Sequence, residues 1–108
     1  LDFKASFDKA LEYYKLAATK GHIEAIKFLM KHYFYSNSDP ETLEEALKYV
    51  RLGVQQQDPE CQYQLGSYYQ HGWGNLKQSL SDAMHFYQLS ADQGNQNAQR
   101  SMQSLKVA

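Results

Sequence analysis

The stretch "CQYQLGSYYQHGWGNLKQSLSDAMHFYQLSADQG", residues 61–94, contains the signals that decide the fold of this chain. It also contains the residues that most resemble an active site, because paired tyrosines, a histidine and the only tryptophan, Trp73, stand beside Gly72 and Gly74. Two glycines so close together can cradle a phosphate, or they can let the chain turn between two helices. The rest of the sequence decides between a site and a hinge.

The pattern of this stretch recurs through the chain at a nearly constant interval. Ala46 lies 36 residues after Ala10, and Ala83 lies 37 residues after Ala46. The neighbouring positions that keep the same register are Phe7, Leu43 and Leu80; Leu11, Leu47 and Met84; Tyr13, Tyr49 and Phe86; and Tyr14, Val50 and Tyr87. The same intervals relate Ala25, Cys61 and Ala98; Leu29, Leu65 and Met102; and Tyr33 and Tyr69. Such a period is typical of a tandem array of helical units, here with one residue inserted after Tyr69.

Polar residues and glycines predict two helices in each period. The first kind of helix starts near Ser6, Thr42 and Ser79 and ends near Gly21, Gln57 and Gly94. Residues 42–45 read as a capping box. The second kind begins beside His22, Asp58 and Asn95, with Pro59 at a first helical position, and runs to about Tyr35, Gln70 and the C-terminus. The turns between the two kinds have only a few residues, which predicts antiparallel neighbours.

Length and composition limit the possible functions. A chain of 108 residues allows one domain, and 11 Lys and Arg against 12 Asp and Glu give a formal charge of −1, so no field attracts nucleic acid or an anionic membrane. The apolar runs are too short to insert into a membrane. The one cysteine, Cys61, forms neither an internal disulfide nor a zinc set. Because the sequence begins with Leu1 and ends between units, we interpret it as a fragment of a longer protein.

Three stretches resemble the Sel-one-like repeats, a branch of the tetratricopeptide-like α-solenoids. They are "CQYQLGSYYQHGWGN", "AMHFYQLSADQG" and "ALEYYKLAATKGHIEA". The family pattern is a small residue, Leu-Gly, Tyr, a Gly-x-Gly loop, Ala, Trp/Tyr-Tyr, Ala-Ala and Gly. The sequence departs from it at "SNSDP", at Gly53-Val54 and at Gln57. An ordinary tetratricopeptide array is the alternative, but its period is nearer 34 residues.

The resemblance implies an all-α fold, a right-handed α-solenoid of about three two-helix repeats. Its six antiparallel helices form a tetratricopeptide-like superhelix in a single domain, 1–108, with helix pairs at approximately 6–35, 42–71 and 79–106. In such an array Gly66 and Tyr69 are packing positions, and Gly72 and Gly74 form a hinge. A phosphate-binding loop needs a strand before its glycines, and the sequence predicts no strand.

The remaining candidates for chemistry have simpler structural explanations. Cys61 takes the position of Ala25 and Ala98, so we expect a buried thiol. The histidines, at positions 22, 32, 71 and 85, form no i, i+4 pair and predict no metal site. The carboxylates of Glu41, Glu44 and Glu45 suit a helix N-terminus. Most tyrosines are expected in the core, while Trp73 is either an exposed binding anchor or a lid on adjacent helices. No catalytic, cofactor-binding or metal-binding residue is predicted.

By resemblance, the chain is a non-enzymatic protein–protein interaction module or adaptor that binds a polypeptide on a concave face. The positions carried over for binding are Glu24, Lys27, Lys31, Tyr35, Glu60, Tyr63, Ser67, His71, Asn97 and Arg100, with Trp73 added from the loop. Among them, Lys27, Lys31 and Arg100 are expected to hold an acidic side chain or a terminal carboxylate.

Two other functions stay open at this point. The chain can be a structural spacer of a longer solenoid. It can also be a hydrolase like cysteine-rich relatives linked to β-lactams, although those carry a cysteine pair in each repeat. The expected partner is a protein or peptide and not nucleic acid, with no direct membrane insertion, no cofactor and a monomer in isolation. The sequence leaves the compartment undetermined.

Overall fold

In a computed structural model, residues 2–36 and 39–107 form an array of six α-helices. The helices are α1 (Phe3–Thr19), α2 (Ile23–Ser36), α3 (Pro40–Gln55), α4 (Pro59–His71), α5 (Leu80–Asp92) and α6 (Gln96–Val107). Helices that follow each other in sequence pack together, most extensively α2 with α3 and α4 with α5. The array measures 53 × 27 × 19 Å, an elongated shape expected for stacked helix pairs. The predicted all-α helical repeat fold is confirmed.

Short polar side chains cap the starts of the helices. The caps whose side chains accept a backbone N–H of the first turn are Asp2, Asp39, Asp58, Ser79 and Asn95. Asp2 and Asp39 lie upstream of Ser6 and Thr42, so α1 and α3 begin earlier than predicted. The capping box predicted at Thr42 is wrong, because Thr42 donates its own N–H to Asp39 Oδ1 at 2.8 Å. The predicted loop "SNSDP" includes residues 37 and 38, which lie outside the described residues.

The turns inside the helix pairs are as predicted. Gly21, Gln57 and Gly94, at equivalent positions, all have positive φ angles, of 87°, 60° and 92°. A residue without a Cβ adopts this left-handed conformation most easily, so Gln57 is the strained member of the set. The loop between α4 and α5 also turns at positive φ, at Gly72 and Gly74, which confirms the hinge.

Two glutamines connect these turns to one another. Gln56 Nε2 donates to the carbonyl oxygen of Gly21 at 2.6 Å, and Gln93 Nε2 donates to the carbonyl oxygen of Gln57 at 2.8 Å. The two donors occupy one position of the repeat, and the two acceptors occupy another. Each hydrogen bond therefore joins the turn of one period to the equivalent turn of the next. The recurrence of glutamine at these positions was a signal that the sequence interpretation did not use.

The apolar core consists of two clusters. The larger one is built by α1 to α4 and the smaller one by α5 and α6, and Tyr69 packs against both. A stacked pair of aromatic rings recurs between α2 and α3 and between α4 and α5. The ring centroids of Tyr33 and Tyr49 are 5.9 Å apart, and those of Tyr69 and Phe86 are 5.8 Å apart. Gly66 is a packing position, as predicted, because a Cβ there would lie 2.6 Å from the ring of Tyr87.

Two tyrosines that follow the repeat register are exposed and not buried, Tyr13 and Tyr14. Tyr35 is also exposed, but it was predicted as a binding residue and not as a core residue. Tyr13 takes the position of Tyr49 and Phe86, but no described ring stacks on its outer side, so 66% of its surface is accessible. The repeat register thus identifies a packing position without ensuring that a packing partner is there.

Candidate functional site

A groove lies between α2, α4 and α6, the helices predicted to build the concave face. Its volume is about 520 Å³. The predicted binding residues that line it are Tyr35, Glu60, Tyr63, Ser67, Trp73 and Asn97. Four further residues line the groove and were not predicted to do so: Phe34, Pro59, Gln64 and Asn95. Three separate helices and the α4–α5 loop therefore contribute to one continuous surface.

Aromatic rings form one end of the groove. The centroid of the Trp73 ring lies 5.5 Å from that of Phe34 and 5.6 Å from that of Tyr68. The His71 ring stacks on Trp73 with a centroid distance of 4.5 Å. Trp73 is only half-buried, so it covers the adjacent helices and also presents a surface to the groove. Tyr35 stands beside this cluster with 73% of its surface accessible.

Amide and hydroxyl groups form the rest of the lining. Asn95 Oδ1 accepts the backbone N–H of Ala98 at 2.9 Å, and Asn97 Oδ1 accepts from Arg100 Nη2 at 3.3 Å. Both acceptor oxygens are therefore occupied, while neither side-chain NH₂ donates to another described residue. The hydroxyl of Ser67 is buried and donates to the carbonyl oxygen of Tyr63.

An ion-pair cluster connects α2 to α4 along the groove. Glu60 Oε2 lies 3.0 Å from Lys27 Nζ, and Glu60 Oε1 lies 2.9 Å from Lys31 Nζ. Lys27 also lies 3.6 Å from Asp58, a residue that the sequence interpretation treated only as a cap. Partial burial of the Glu60 carboxylate raises its pKa, but the hydrogen bonds from Lys31 and Lys27 outweigh burial and lower the pKa below its ordinary value. The same contact with Glu60 raises the pKa of Lys27, so the Lys27–Glu60 pair is charged at neutral pH.

The remaining predicted binding residues lie outside the groove lining. Glu24 and Arg100 are exposed on α2 and α6, and His71 supports Trp73 from the end of α4. No contact among residues 2–36 and 39–107 joins Arg100 to Lys27 or Lys31. Lys27 and Lys31 share Glu60, and Arg100 Nη2 contacts Asn97 Oδ1, so a carboxylate site formed by these three cations stays a prediction.

Cys61 and the histidines occupy the following environments. The Cys61 side chain is fully buried beside Met30, and burial raises the pKa of its thiol, which keeps it protonated. Within the described part of the chain, no group of three or more His, Cys, Asp and Glu side chains is placed to hold a metal ion. None of the described helices is long and apolar enough to cross a bilayer.

A second groove of about 530 Å³ lies between α3 and the α4–α5 loop. It is lined by charged residues of α3, including Glu44, Glu45, Lys48 and Arg51. Glu45 and Lys48 pair with each other at 2.8 Å. Exposed pairs of this kind are typical of a solvated helix face, so this groove offers a weaker case for a binding site than the aromatic one.

The family follows from the sequence match. Residues 2–22 and 59–95, more than half of the chain, match the Sel1 repeat model. The chain belongs to the Sel1 repeat family. The unmatched segment between them includes "SNSDP", Gly53-Val54 and Gln57, where the Sel1 pattern is interrupted.

Two solved structures support the Sel1 assignment. One is a Sel1 repeat protein from Oxalobacter formigenes, with 27% sequence identity, a TM-score of 0.77, and coverage of 90% of this chain and 72% of that chain. The other is a protective antigen present in uropathogenic Escherichia coli strains that displays an SLR fold, with 29% identity and a TM-score of 0.75. That alignment covers 85% of this chain and 20% of the antigen. No curated protein matches the sequence.

Sel1 repeats are generally protein–protein interaction modules, and the fold is typically a non-enzymatic scaffold.

Proposed function

We propose that this Sel1 array is a non-enzymatic adaptor that binds a polypeptide segment in the groove between α2, α4 and α6. The observation that carries the proposal is the lining of one groove by side chains from all three helices. Tyr35 and Asn97 are exposed there, so the core does not account for them. Exposed aromatic rings next to amide groups are the usual composition of a protein interface.

The groove offers side chains, not backbone, for recognition. Its walls are mostly helical, and away from the helix ends the N–H and C=O groups are already paired within each helix. A bound peptide would therefore contact ring faces and exchange hydrogen bonds with Gln64, Asn95 and Asn97. Gln64 supplies a donor and an acceptor, and Asn95 and Asn97 supply NH₂ donors, which suits the carbonyl and N–H groups of an extended peptide backbone.

The ion-pair cluster keeps the groove in shape. Lys27 and Lys31 of α2 both contact Glu60 of α4, which fixes the spacing of the two helices. A surface that is already in its binding geometry loses less entropy when the ligand arrives. In this proposal the two lysines hold the groove, His71 supports Trp73, and Glu24 and Arg100 form the charged rim.

Two potential nucleophiles, Ser67 and Cys61, lack the arrangement that catalysis requires. A nucleophile needs a base within hydrogen-bonding reach, but the Ser67 hydroxyl donates to a main-chain oxygen and the thiol of Cys61 is buried and protonated. The cysteine pairs of the β-lactam-linked relatives are missing, because the chain has a single cysteine. These observations favour a binding module over a hydrolase.

A selection from a random peptide library against the immobilised domain tests the proposal. Selected peptides are then titrated against the wild type, Tyr35→Ala and Tyr63→Ala. We expect each groove variant to weaken binding about tenfold, as loss of an aromatic anchor does. Tyr13→Ala is the control, because Tyr13 is equally aromatic and exposed but lies on α1, and it should bind as the wild type does.

Circular dichroism of each variant separates lost binding from lost folding. Tyr35 is so exposed that Tyr35→Ala should melt as the wild type does. Peptides that bind all the variants equally would place the site elsewhere on the molecule. If the library yields no binding peptide, the spacer function becomes the better account of this array.

A further inference from the structure

The groove is apolar without being aliphatic. Its apolar surface comes from Phe34, Tyr35, Tyr63, Trp73 and Pro59, and no Leu, Ile, Val or Met is among the described residues that line it. Amphipathic helices dock with their aliphatic face in hydrophobic grooves, whereas grooves lined by aromatic rings receive proline-rich segments. The pyrrolidine ring is compact and rigid, and one of its faces can lie against an aromatic ring.

The charge within the groove lining is already paired. Glu60 is the one charged residue among the described lining, and both of its carboxylate oxygens are within 3.0 Å of a lysine nitrogen. An acidic ligand would have to compete with Glu60 for Lys27 and Lys31, and a basic ligand would have to compete with the lysines for Glu60. Separating partly buried partners leaves a charge uncompensated, so the groove favours an uncharged ligand.

Two asparagines present donor groups to the groove. The side-chain oxygens of Asn95 and Asn97 are occupied, and their NH₂ groups are not. The capping of Ala98 fixes which atom of Asn95 is the oxygen, because only oxygen can accept that N–H. A polyproline II segment has no internal hydrogen bonds and no N–H at its prolines, so it presents mostly carbonyl acceptors. Donors on the groove and acceptors on the ligand are complementary.

We infer that the ligand of this groove is an uncharged, proline-rich segment in the polyproline II conformation. Its pyrrolidine rings lie against Tyr35, Tyr63 and Trp73, and its carbonyl oxygens accept hydrogen bonds from Asn95 and Asn97. The inference rests on the proposed function of the groove as a peptide site. Polyproline II is largely formed before binding, which reduces the entropy lost on association.

Trp73 provides the measurement, because it is the only tryptophan of the chain and lies in the groove. Its fluorescence is followed while four tryptophan-free, end-blocked peptides of equal length are added: decaproline, a Gly-Ser peptide, a Glu-rich peptide and an amphipathic Leu-Lys helix. We expect decaproline to change the emission and the Gly-Ser peptide to leave it unchanged. Decaproline binding should be nearly independent of salt between about 0.05 and 0.5 M NaCl.

Variants locate the site of decaproline binding. Tyr35→Ala and Asn95→Ser should each weaken binding several-fold, and Tyr13→Ala should not change it. Asn95→Ser keeps a capping oxygen while removing the NH₂ donor, so it tests the hydrogen bond without uncapping α6. Amide chemical shifts should move in α2, α4 and the start of α6 but not in α1.

The other outcomes distinguish this inference from the proposed function. If the Glu-rich or the helical peptide binds at Trp73 and decaproline does not, the groove is a peptide site for a different ligand and only the inference is overturned. If neither these probes nor library peptides bind, both are overturned. A response to a soluble oligosaccharide such as chitohexaose alone would also overturn both, because aromatic rings and amides then serve a glycan.

Discussion

The α2/α3 pair and the α4/α5 pair are equivalent units of the repeat, but they differ in the sizes of two equivalent core side chains. The first unit has Met30 on one helix and Val50 on the other, both fully buried. The second unit has Gly66 and Tyr87 at the equivalent positions, and the Tyr87 ring occupies the space that a Gly66 side chain would need. Interiors are packed to a nearly fixed density. The comparison shows that the packing rule of this repeat applies to a pair of positions and not to either one alone.

The α3/α4 contact follows the same rule. Gly53 and Cys61 stand where the preceding contact has Ala17 and Ala25. A Cβ on Gly53 would lie 2.1 Å from Cys61 Sγ, so the larger thiol is accommodated by the smaller glycine. Glycine in place of alanine at position 53 is therefore compensated by cysteine in place of alanine at position 61 on the facing helix.

The largest loss of stability is expected when the second unit receives the methionine of the first unit without the valine that accompanies it. Gly66→Met should reduce the free energy of unfolding by about 3 kcal/mol, because the new side chain overlaps the Tyr87 ring. Adding Tyr87→Val should recover more than half of that loss, since the pair then matches Met30 and Val50. Urea denaturation followed by circular dichroism measures both values. Costs that simply add in the double variant would show that the two positions do not form a packing pair.

Gly53→Ala is expected to cost about 2 kcal/mol, through its clash with Cys61. Cys61→Ala in the same chain should remove most of that cost, since the facing pair then equals Ala17 and Ala25. Alanine is also the better helix former by about 1 kcal/mol. The same denaturation experiment measures the double variant, and a double variant no more stable than Gly53→Ala alone would contradict the compensation. Cys61→Ala alone is the control and should cost about 1 kcal/mol for the vacated space.

Two buried tyrosines should respond to hydroxyl removal with opposite signs. The Tyr68 hydroxyl is buried without a hydrogen-bond partner, whereas the Tyr87 hydroxyl lies 2.6 Å from Gln70 Oε1 and 3.2 Å from Ser67 Oγ. Tyr68→Phe should therefore raise the free energy of unfolding by about 1 kcal/mol, and Tyr87→Phe should lower it by about 1 kcal/mol. Thermal melts of the two variants provide the measurement. Equal signs would mean that one of the two hydroxyls is solvated differently from what its surroundings indicate.

The smallest effect concerns the glutamines between the turns. Gln56→Ala removes one exposed hydrogen bond to a carbonyl oxygen and should cost about 0.5 to 1 kcal/mol. Gln93→Ala also removes the hydrogen bond to Oε1 of the buried Gln62, so it should cost somewhat more. Gln55→Ala is the matched control, because its side chain is exposed and forms no such bond. Hydrogen exchange at the turns should accelerate in the first two variants only. Unchanged exchange would mean that the turns hold their places without these bonds.

Much of the fold could be predicted from the sequence because residues separated by one repeat period occupy equivalent structural positions. The turns at Gly21, Gln57 and Gly94 follow from their shared register, even though Gln57 is not glycine. The starts of α1 and α3 were missed for a local reason. Ser79 does cap α5, and extending its register to Ser6 and Thr42 ignored Asp39 before Pro40, where proline suits the first helical position.

The site was predictable in part, for a different reason. The resemblance to tetratricopeptide-like repeats implied that Tyr35, Tyr63 and Asn97 share one face, and all three line one groove in the structure. The partner of Lys27 and Lys31 depends on the distance between α2 and α4. The spacing of residues within one helix gives no information about that distance. Two lysines one turn apart look like an open anion site in the sequence, but Glu60 from the next unit occupies them.

The hydrogen bonds of Gln56 and Gln93 have a consequence for how such an array grows. Each glutamine contacts a main-chain oxygen, and every unit has that oxygen whatever its side chains are. A duplicated unit therefore arrives with its acceptor already in place, and its own glutamine reaches back to the unit before it. A copied unit therefore needs no matching substitution in its neighbour at this contact. Gene duplication can add units that are already able to form this hydrogen bond.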